Sequence, residues 1–405
     1  MTDAPGPLEG VRILDLTSMI SGPIATMMLA DQGADVIKVE PPEGDLVRQM
    51  GANRGGVSAS FISANRSKRS IALDLKSPEG RAVLERLIPT ADVFVQNFRP
   101  GAIERMGFGE SAVRKLKPDI VYVSISGFGE TGPYAGKRVY DPVIQALSGL
   151  AAIQADRETN RPRMVRTIIP DKTTAVTAAQ AITAALFARE RSPKDARVGQ
   201  HVRLSMLDTM VAYLWPEGMT GLTFVGREVH ASRAQIAQDL IFATTDGFIT
   251  AGAVSDAEWR GMCRALEHPE WLDDPRFKTT NDRVVNVKER LALTAAVLAT
   301  RPSAEWLGRL DAEGVPCAPV LAREDVIRHE QVVTNELIEE FDHPRAGRIR
   351  QPRPAARFAA TPARIRRPAP ALGEQGEAIL AEAGFTPAEI AALVRSGALR
   401  LPSAG

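Results

Sequence analysis

The first forty residues constrain the fold more tightly than any other stretch of the chain. Val11-Arg12-Ile13-Leu14-Asp15-Leu16 reads as a buried strand, Pro23 to Gln32 as a short helix, and Ala34-Asp35-Val36-Ile37-Lys38-Val39-Glu40 as a second strand. A strand, a helix and a strand at this spacing make one βαβ unit, the crossover that a parallel pair requires. Glu40 closes the second strand where a dinucleotide-binding fold would hold a ribose. The glycine fingerprint of that fold is nevertheless missing. Thr17-Ser18-Met19-Ile20-Ser21-Gly22-Pro23 offers one glycine where a pyrophosphate cradle of that type uses three. The unit is built for a nucleotide-like ligand held in another way.

The alternation continues to about Ser126. Ser70 to Leu75 is strand-like, Pro78 to Leu87 helical, and Asp92 to Val95 and Ile120 to Ile125 strand-like again. This pattern predicts a parallel sheet with helices on both faces. Ligands of such sheets lie at the carboxyl ends of the strands, so the loops at Thr17 to Gly22, at Gln96 to Gly101 and after Ser126 are expected to converge on one site. A helix follows around Tyr140 to Gly149. A long alanine-rich one, from Thr173 to Glu190, has its apolar stripe at Val176, Ala179, Ile182 and Leu186. Gln200 to Met206 reads as a strand and Leu207 to about Trp215 as a helix.

Glycine and charge then rise near Gly221 to Arg233, which marks a domain boundary, and 405 residues suit two domains better than one core. From Ile241 to about Asp325 a strand, Phe248 to Ala251, precedes helical patterns at Ala257 to Leu266, Val287 to Ala299 and Ser303 to Glu313. This reads as a smaller α+β domain. Pro344 to Pro370, rich in proline and arginine, reads as a return strap. Thr386-Pro387-Ala388-Glu389 is a capping box, and Gly397 follows the helix it opens.

Fifty basic residues against forty-nine acidic ones give a net charge of +1, so nothing draws the whole molecule to nucleic acid or to an anionic bilayer. No apolar stretch approaches a membrane span, and the first residues lack the basic region of an export signal, so neither membrane insertion nor export is expected. Two distant cysteines, Cys263 and Cys317, fit a reducing cytoplasm. No two of the five histidines stand four residues apart as in zinc hydrolases, so neither a metal enzyme nor a histidine-driven hydrolase is expected. No prosthetic group is expected either.

Three local patterns could carry chemistry. Gly127-Phe128-Gly129-Glu130-Thr131-Gly132 matches the dinucleotide motif in letters, but Pro133, Gly136 and Lys137-Arg138 follow it instead of a helix, so it reads as a turn. Basic residues recur beside strand ends: Lys76, Arg99, Arg105, Lys137 and Arg138. Phosphates need such cations together with backbone donors, and Arg99-Pro100-Gly101 at a helix start could supply both. Asp171 stands at the mouth of the alanine-rich helix. Its local reading is an N-cap, although a carboxylate kept ionised by the helix end is also a usable nucleophile.

Read together, the blocks resemble the class III coenzyme A transferases, the family of formyl-CoA transferase and carnitine-CoA transferase. The marks are Leu8-Glu9-Gly10-Val11-Arg12-Ile13-Leu14-Asp15-Leu16-Thr17, Gly22-Pro23, Gly33 to Pro41, Asn65 to Ile71 with Leu73 to Lys76, and Asn97-Phe98-Arg99-Pro100-Gly101. Further along stand Gly107-Phe108-Gly109, Gly127-Phe128-Gly129 with Gly132-Pro133-Tyr134, and Gly199-Gln200 before Ser205 to Asp208. The resemblance covers nearly the whole chain.

The resemblance implies Asp171 as the catalytic nucleophile, with CoA contacts at Ile20, Ser21, Leu75, Lys76, Asn97, Phe98, Arg99, Arg105, Arg138, Tyr140 and Asp141. It implies a doubly wound, Rossmann-like α/β domain from both chain ends (1–220 and 331–405), a small α+β domain (221–330) and an interlocked homodimer. The substrates would be an acyl-CoA and a carboxylic acid acceptor, exchanged through an aspartyl anhydride and an aspartyl-CoA thioester. Helix-end geometry, separately, predicts that amides at the start of the alanine-rich helix meet the oxyanions. The family also includes α-methylacyl-CoA racemases, which pair a histidine with the aspartate. Here Tyr140 stands before Asp141 where those have histidine, and a phenol is a weak base near neutral pH. Two departures from the pattern are a lengthened turn at Arg191 to Gly199 and Gln238-Asp239-Leu240 in place of a common Pro-Tyr segment, the latter bearing on the acceptor pocket.

Overall fold

Six parallel strands form the floor of the larger unit. They are β1 (Arg12–Leu16), β2 (Asp35–Glu40), β3 (Arg69–Leu73), β4 (Val93–Gln96), β5 (Val121–Ser126) and β6 (His201–Ser205), lying in the order β3-β2-β1-β4-β5-β6. The structure is a computed structural model that describes residues 4–156, 159–226 and 239–402. The strands are near-continuous apolar runs because both faces are covered. On one face Leu14, Ile37, Ile71, Phe94 and Tyr122 join one core. On the other Ile13, Val36, Val93, Val121 and Val123 join a second. The order reverses between β1 and β4, and an open sheet binds ligand in the crevice outside such a reversal.

The helices that bear on the site are α1 (Ser21–Asp31), α2 (Pro78–Leu87), α3 (Asp141–Leu147), α4 (Ile169–Glu190) and α5 (Met206–Leu214). Ser77 caps α2 by accepting from the Gly80 amide, with Pro78 at the first helical position. Ala25, Leu29 and Ala30 of α1 pack against Ala175, Ala178, Ala179 and Ile182 of α4. Small side chains allow these two helices to approach closely.

The alanine-rich helix begins at Ile169, four residues before the predicted start at Thr173. Pro170 is tolerated there because a first-turn residue needs no intrahelical N–H partner. The buried stripe follows Thr174, Ala175, Ala178, Ala179, Ile182, Ala185 and Leu186, whereas Val176, predicted to be in it, is 53% exposed. The helix predicted around Tyr140 to Gly149 is shorter, Asp141–Leu147.

Residues Met1–Pro216 and Glu336–Gly405 form one compact unit and Glu217–Asn335 a second. In the first, the returning chain opens with an antiparallel hairpin, Ile338–His343 with Gly347–Pro352, whose second strand lies within the Pro344 to Pro370 strap. It is stitched to the N-terminal half: Arg66 Nη1 donates to Pro352 O at 2.7 Å, Arg48 Nη1 to Pro370 O at 3.1 Å, and Arg69 pairs with Glu382 at 2.7 Å. The Thr386 capping box and the left-handed Gly397 end the last helix, and Leu399–Arg400 adds an antiparallel edge strand beside β3. The second unit has a three-stranded antiparallel sheet, Ile241–Ala243, Phe248–Ala251 and Cys317–Pro319. Its core gathers Trp259, Trp271, Phe277 and Trp306. Gln238 of the departing Gln238-Asp239-Leu240 segment lies outside the described residues.

Candidate active site

The chain leaves β1 at Leu16 and enters α1 at Ser21 through a loop whose shape is over-determined. Met19 has a φ of 67°, a left-handed conformation that costs a non-glycine residue about 1 kcal/mol. Its amide donates to the Asp45 carboxylate at 3.1 and 3.2 Å. The Ser18 amide donates to Asn97 Oδ1 and Asn97 Nδ2 returns a bond to Ser18 O, both at 2.9 Å. These bonds join the ends of β1 and β4 at the reversal in strand order. Gly22 is required by crowding, since a Cβ there would lie 2.4 Å from Thr17 Cβ.

Beneath the loop is a buried set of charges. Lys68 Nζ donates to Asp15 Oδ2 at 2.9 Å, to Asn65 Oδ1 at 2.8 Å and to Pro23 O at 2.9 Å. Lys38 Nζ donates to Thr17 O at 2.9 Å and to Asp45 Oδ2 at 3.0 Å. Asp15 also accepts from the Thr17 amide at 2.9 Å and from Thr26 Oγ1 at 2.6 Å. Burial alone would raise the Asp15 carboxyl, but Lys68 and Lys38 hold it well below the usual carboxylate range. Burial lowers the Lys68 amine to about 8 against the pull of Asp15. Glu40, considered for a ribose, is committed elsewhere: Arg48 donates to both its oxygens at 2.7 Å and Ser70 Oγ donates at 2.9 Å.

Sequence reasoning did not single out Asp15, Lys38, Asp45 and Lys68 as a group. A signal existed, because Asp15 and Lys38 interrupt apolar strands, and a charge inside a buried strand demands a partner.

Asp171 is the third residue of α4, and the helix N-cap is Ile168, with no side-chain capping bond. The capping reading of Asp171 therefore does not hold, and the carboxylate is free to face the β1–α1 loop. There Ser21, at the start of α1, favours its ionised form. Burial first, and the neighbouring Asp141 carboxylate second, push Asp171 up to about 6 against the pull of Ser21. Burial and a like charge both disfavour the ionised form. Asp171 is still ionised at pH 7.

Asp141 opens α3, and it is buried. Its Oδ2 accepts from the Asp171 amide at 3.4 Å and its Oδ1 from Gln145 Nε2 at 2.6 Å. Burial raises the Asp141 carboxyl. Gln145, one helical turn on, accepts from the Val165 amide at 2.9 Å and donates to the carbonyls of Val165 and Thr167 at 3.2 and 3.3 Å. It thereby staples the segment that delivers Asp171, a role recognisable in sequence only by its spacing of four residues from Asp141.

The amides at the start of α4 do not form the expected oxyanion pocket. Ile169 N–H bonds Thr167 O, Pro170 has none, Asp171 N–H bonds Asp141 and Lys172 N–H bonds Ile168 O. The residue that favours the ionised form of Asp171 is Ser21, at the start of α1.

The other candidate residues follow strand ends on the same edge of the sheet. Ile20 precedes α1, Leu75 and Lys76 follow β3, Asn97, Phe98 and Arg99 follow β4, and Arg138 and Tyr140 follow β5. Leu75 and Phe98 pack against one core and so share a face. Lys76, Arg99, Arg105 and Arg138 are exposed and have no ion-pair partner among the described residues. The helix after Arg99 is a single turn, Ala102–Arg105, and the Ala102 amide is engaged by Arg99 O. Tyr140 is 65% exposed. The Gly127 to Gly132 segment is a turn, with Gly129 N donating to Ser126 Oγ at 3.0 Å. A cavity of about 590 Å³ opens beside Arg48, Phe61, His343 and Pro370, and no candidate residue lines it.

The site thus gathers a loop clasped across the switch point, a raised acid and an edge of cations unpaired among the described residues. Comparison with known proteins identifies the family. The family model described as CoA-transferase family III matches residues 8–376. A succinyl-CoA:glutarate CoA-transferase of Mus musculus is 37% identical over 389 residues, 94% of this chain and 87% of that protein. A formyl-CoA:oxalate CoA-transferase of Streptomyces coelicolor is 32% identical, covering 97% and 99% of the two chains. Among solved structures, a CAIB/BAIF family protein from Brucella suis superposes with a TM-score of 0.80 at 30% identity, covering 94% of this chain and all of that one. The chain belongs to CoA-transferase family III and is an enzyme of that class.

Proposed function

We propose that the enzyme moves coenzyme A from an acyl-CoA thioester to a free carboxylic acid, with Asp171 as the nucleophile. The observation that carries this reading is the placement of Asp171: it stands in the first turn of α4, which packs on α1, with its amide bonded to the buried Asp141 and its carboxyl held near 6. An Asp171 oxygen attacks the thioester carbonyl, the carbon–sulfur bond breaks, and a mixed anhydride and CoA thiolate result. The thiolate attacks the aspartyl carbonyl, expelling the donor carboxylate and leaving an aspartyl-CoA thioester. The acceptor carboxylate then attacks that carbonyl and releases the thiolate, which takes the acceptor acyl group and restores Asp171. Each step needs only an acyl carbon, a nucleophile and donors for the oxyanion. Ser21 is the proposed donor for that task.

Lys76, Arg99, Arg105 and Arg138 would meet the phosphates, and Ile20, Leu75, Asn97, Phe98 and Tyr140 would flank the rest of the carrier, with Asp141 orienting Asp171. The relatives' substrates, succinyl-CoA with glutarate and formyl-CoA with oxalate, set the first panel of donors and acceptors. A homodimer is part of the same reading. Val143 and Leu147 of α3, Val176 and Phe187 of α4 and Tyr213 of α5 are large exposed apolar side chains, which sedimentation analysis should find covered in a dimer. The chemistry is tested by Asp171→Ala, which should abolish exchange and retain CoA binding, and by mass spectrometry of the parent enzyme mixed with acyl-CoA. Turnover by that variant, or no mass adduct on the Asp171 peptide, ends the proposal.

A further inference from the structure

All four charged groups beneath the β1–α1 loop hold its backbone directly. Lys38 Nζ donates to Thr17 O at 2.9 Å, Lys68 Nζ to Pro23 O at 2.9 Å, and Asp45 accepts from Met19 N at 3.1 Å. The fourth, Asp15, accepts from Thr17 N at 2.9 Å and ties Lys68 to the loop through its other oxygen. Every backbone group so held belongs to residues 17–23, the segment that carries Ser21. Lys38 and Lys68 are completely buried, as is Asp15, and Asp45 is nearly so. The charges therefore meet no ligand themselves.

Burying two ion pairs is a poor route to stability, since the desolvation of each charge offsets most of the attraction, and apolar replacements of similar volume are often as stable. Their geometric yield is clearer. Five bonds converge on seven residues and enforce the left-handed Met19, which a loop left to itself would relax.

We propose that Asp15, Lys38, Asp45 and Lys68 are positioning residues that lock the Thr17 to Pro23 loop so that Ser21, at the head of the helix packed on α4, is held in place for Asp171 before substrate arrives. The proposal rests on the reading of Asp171 as nucleophile. It locates in the large unit a second layer of side chains that sets rate without touching substrate. Small misplacements of reacting groups cost far more in turnover than in affinity, which makes the split between the two the informative quantity.

The test uses the full-length enzyme with the paired substitution Lys38→Met and Asp45→Asn, which leaves no unpaired charge. Exchange kinetics, CoA affinity by calorimetry and thermal unfolding are measured together. The expected result is a fall in kcat of about tenfold or greater, with CoA affinity within about twofold and a retained cooperative transition. Unchanged kcat in the folded variant overturns the proposal, and so does a fall in kcat matched by an equal fall in CoA affinity. Should this variant not fold, Thr26→Val decides, because it removes one hydroxyl from Asp15 and leaves all charges paired. A loss of about fivefold in kcat supports the proposal and parental kcat overturns it. Asp171→Ala measured alongside separates the two ideas: residual exchange there defeats the nucleophile, whereas its full loss beside parental kcat in the network variants defeats the positioning role alone.

Discussion

Asn97 and Ser18 hold each other through two reciprocal 2.9 Å hydrogen bonds, side-chain amide against backbone, across the point where the strand order reverses. Because the bonds link loops from adjacent strands, they fix the width of the crevice there. Asn97→Ala should leave the fold intact, the residue being half-exposed, and should lower kcat/KM for acyl-CoA by about tenfold, the effect of two modest hydrogen bonds lost together. Parental steady-state kinetics in a variant with a parental melting curve would contradict this.

The elevated acid at Asp171 makes two pH predictions. As a nucleophile it must be ionised, so kcat/KM should fall on the acid side with a midpoint near 6. For stability the sign is the opposite of a paired carboxylate. A folded-state pKa above the unfolded value of 3.8 means that ionisation is disfavoured in the fold, so the penalty is absent below about pH 4, grows through the window up to 6 and is complete above it. Asp171→Asn should therefore raise stability at pH 7.5 by about 1–2 kcal/mol, allowing for solvent on the open side of the site. The gain should vanish by pH 4. Thermal melts of both proteins across that range measure it.

Removing the unpaired cations should act on binding. Alanine at Lys76, Arg99, Arg105 or Arg138 is expected to raise KM for acyl-CoA by about three- to tenfold, with kcat within about twofold, since a phosphate contact far from the thioester is uniform between ground and transition states. A dephosphorylated CoA analogue should abolish the effect of whichever residue meets the missing group. Equal effects of all four substitutions on both carriers would count against phosphate binding on this edge.

Gly22→Ala probes the crowding at the head of α1. The new methyl would sit 2.4 Å from Thr17 Cβ, so the loop must shift. The expected cost is about 1–3 kcal/mol of stability from overpacking, with a larger loss of turnover than Asn97→Ala causes. Denaturant unfolding and exchange assays on one preparation check both.

The six parallel strands were readable in the sequence because a strand covered on both faces must be apolar throughout, and β-branched runs between turn residues are hard to mistake. Local chemistry was ambiguous at Asp171. Capping preferences favoured one role, and only the earlier start of α4, allowed by Pro170, freed the side chain for another. The role of Ser21 was hidden for a different reason. Ser21 and Asp171 are brought together by the packing of α1 on α4, and no local pattern reports a tertiary contact. Lys38 and Lys68 were hidden by the same limit, since a sequence displays a buried charge but not its partner.

The ion pair between Arg69 and Glu382 joins residues 313 positions apart, and Leu399–Arg400 closes the β3 edge from the far end of the chain. Synthesis therefore delivers the six-stranded floor long before its last strand. During that interval the edge at β3 has open backbone donors and acceptors, the kind of surface through which nascent chains mispair. Slow translation of the stretch between β6 and Leu399 should lower the yield of active protein even though every residue of the proposed site has already been made.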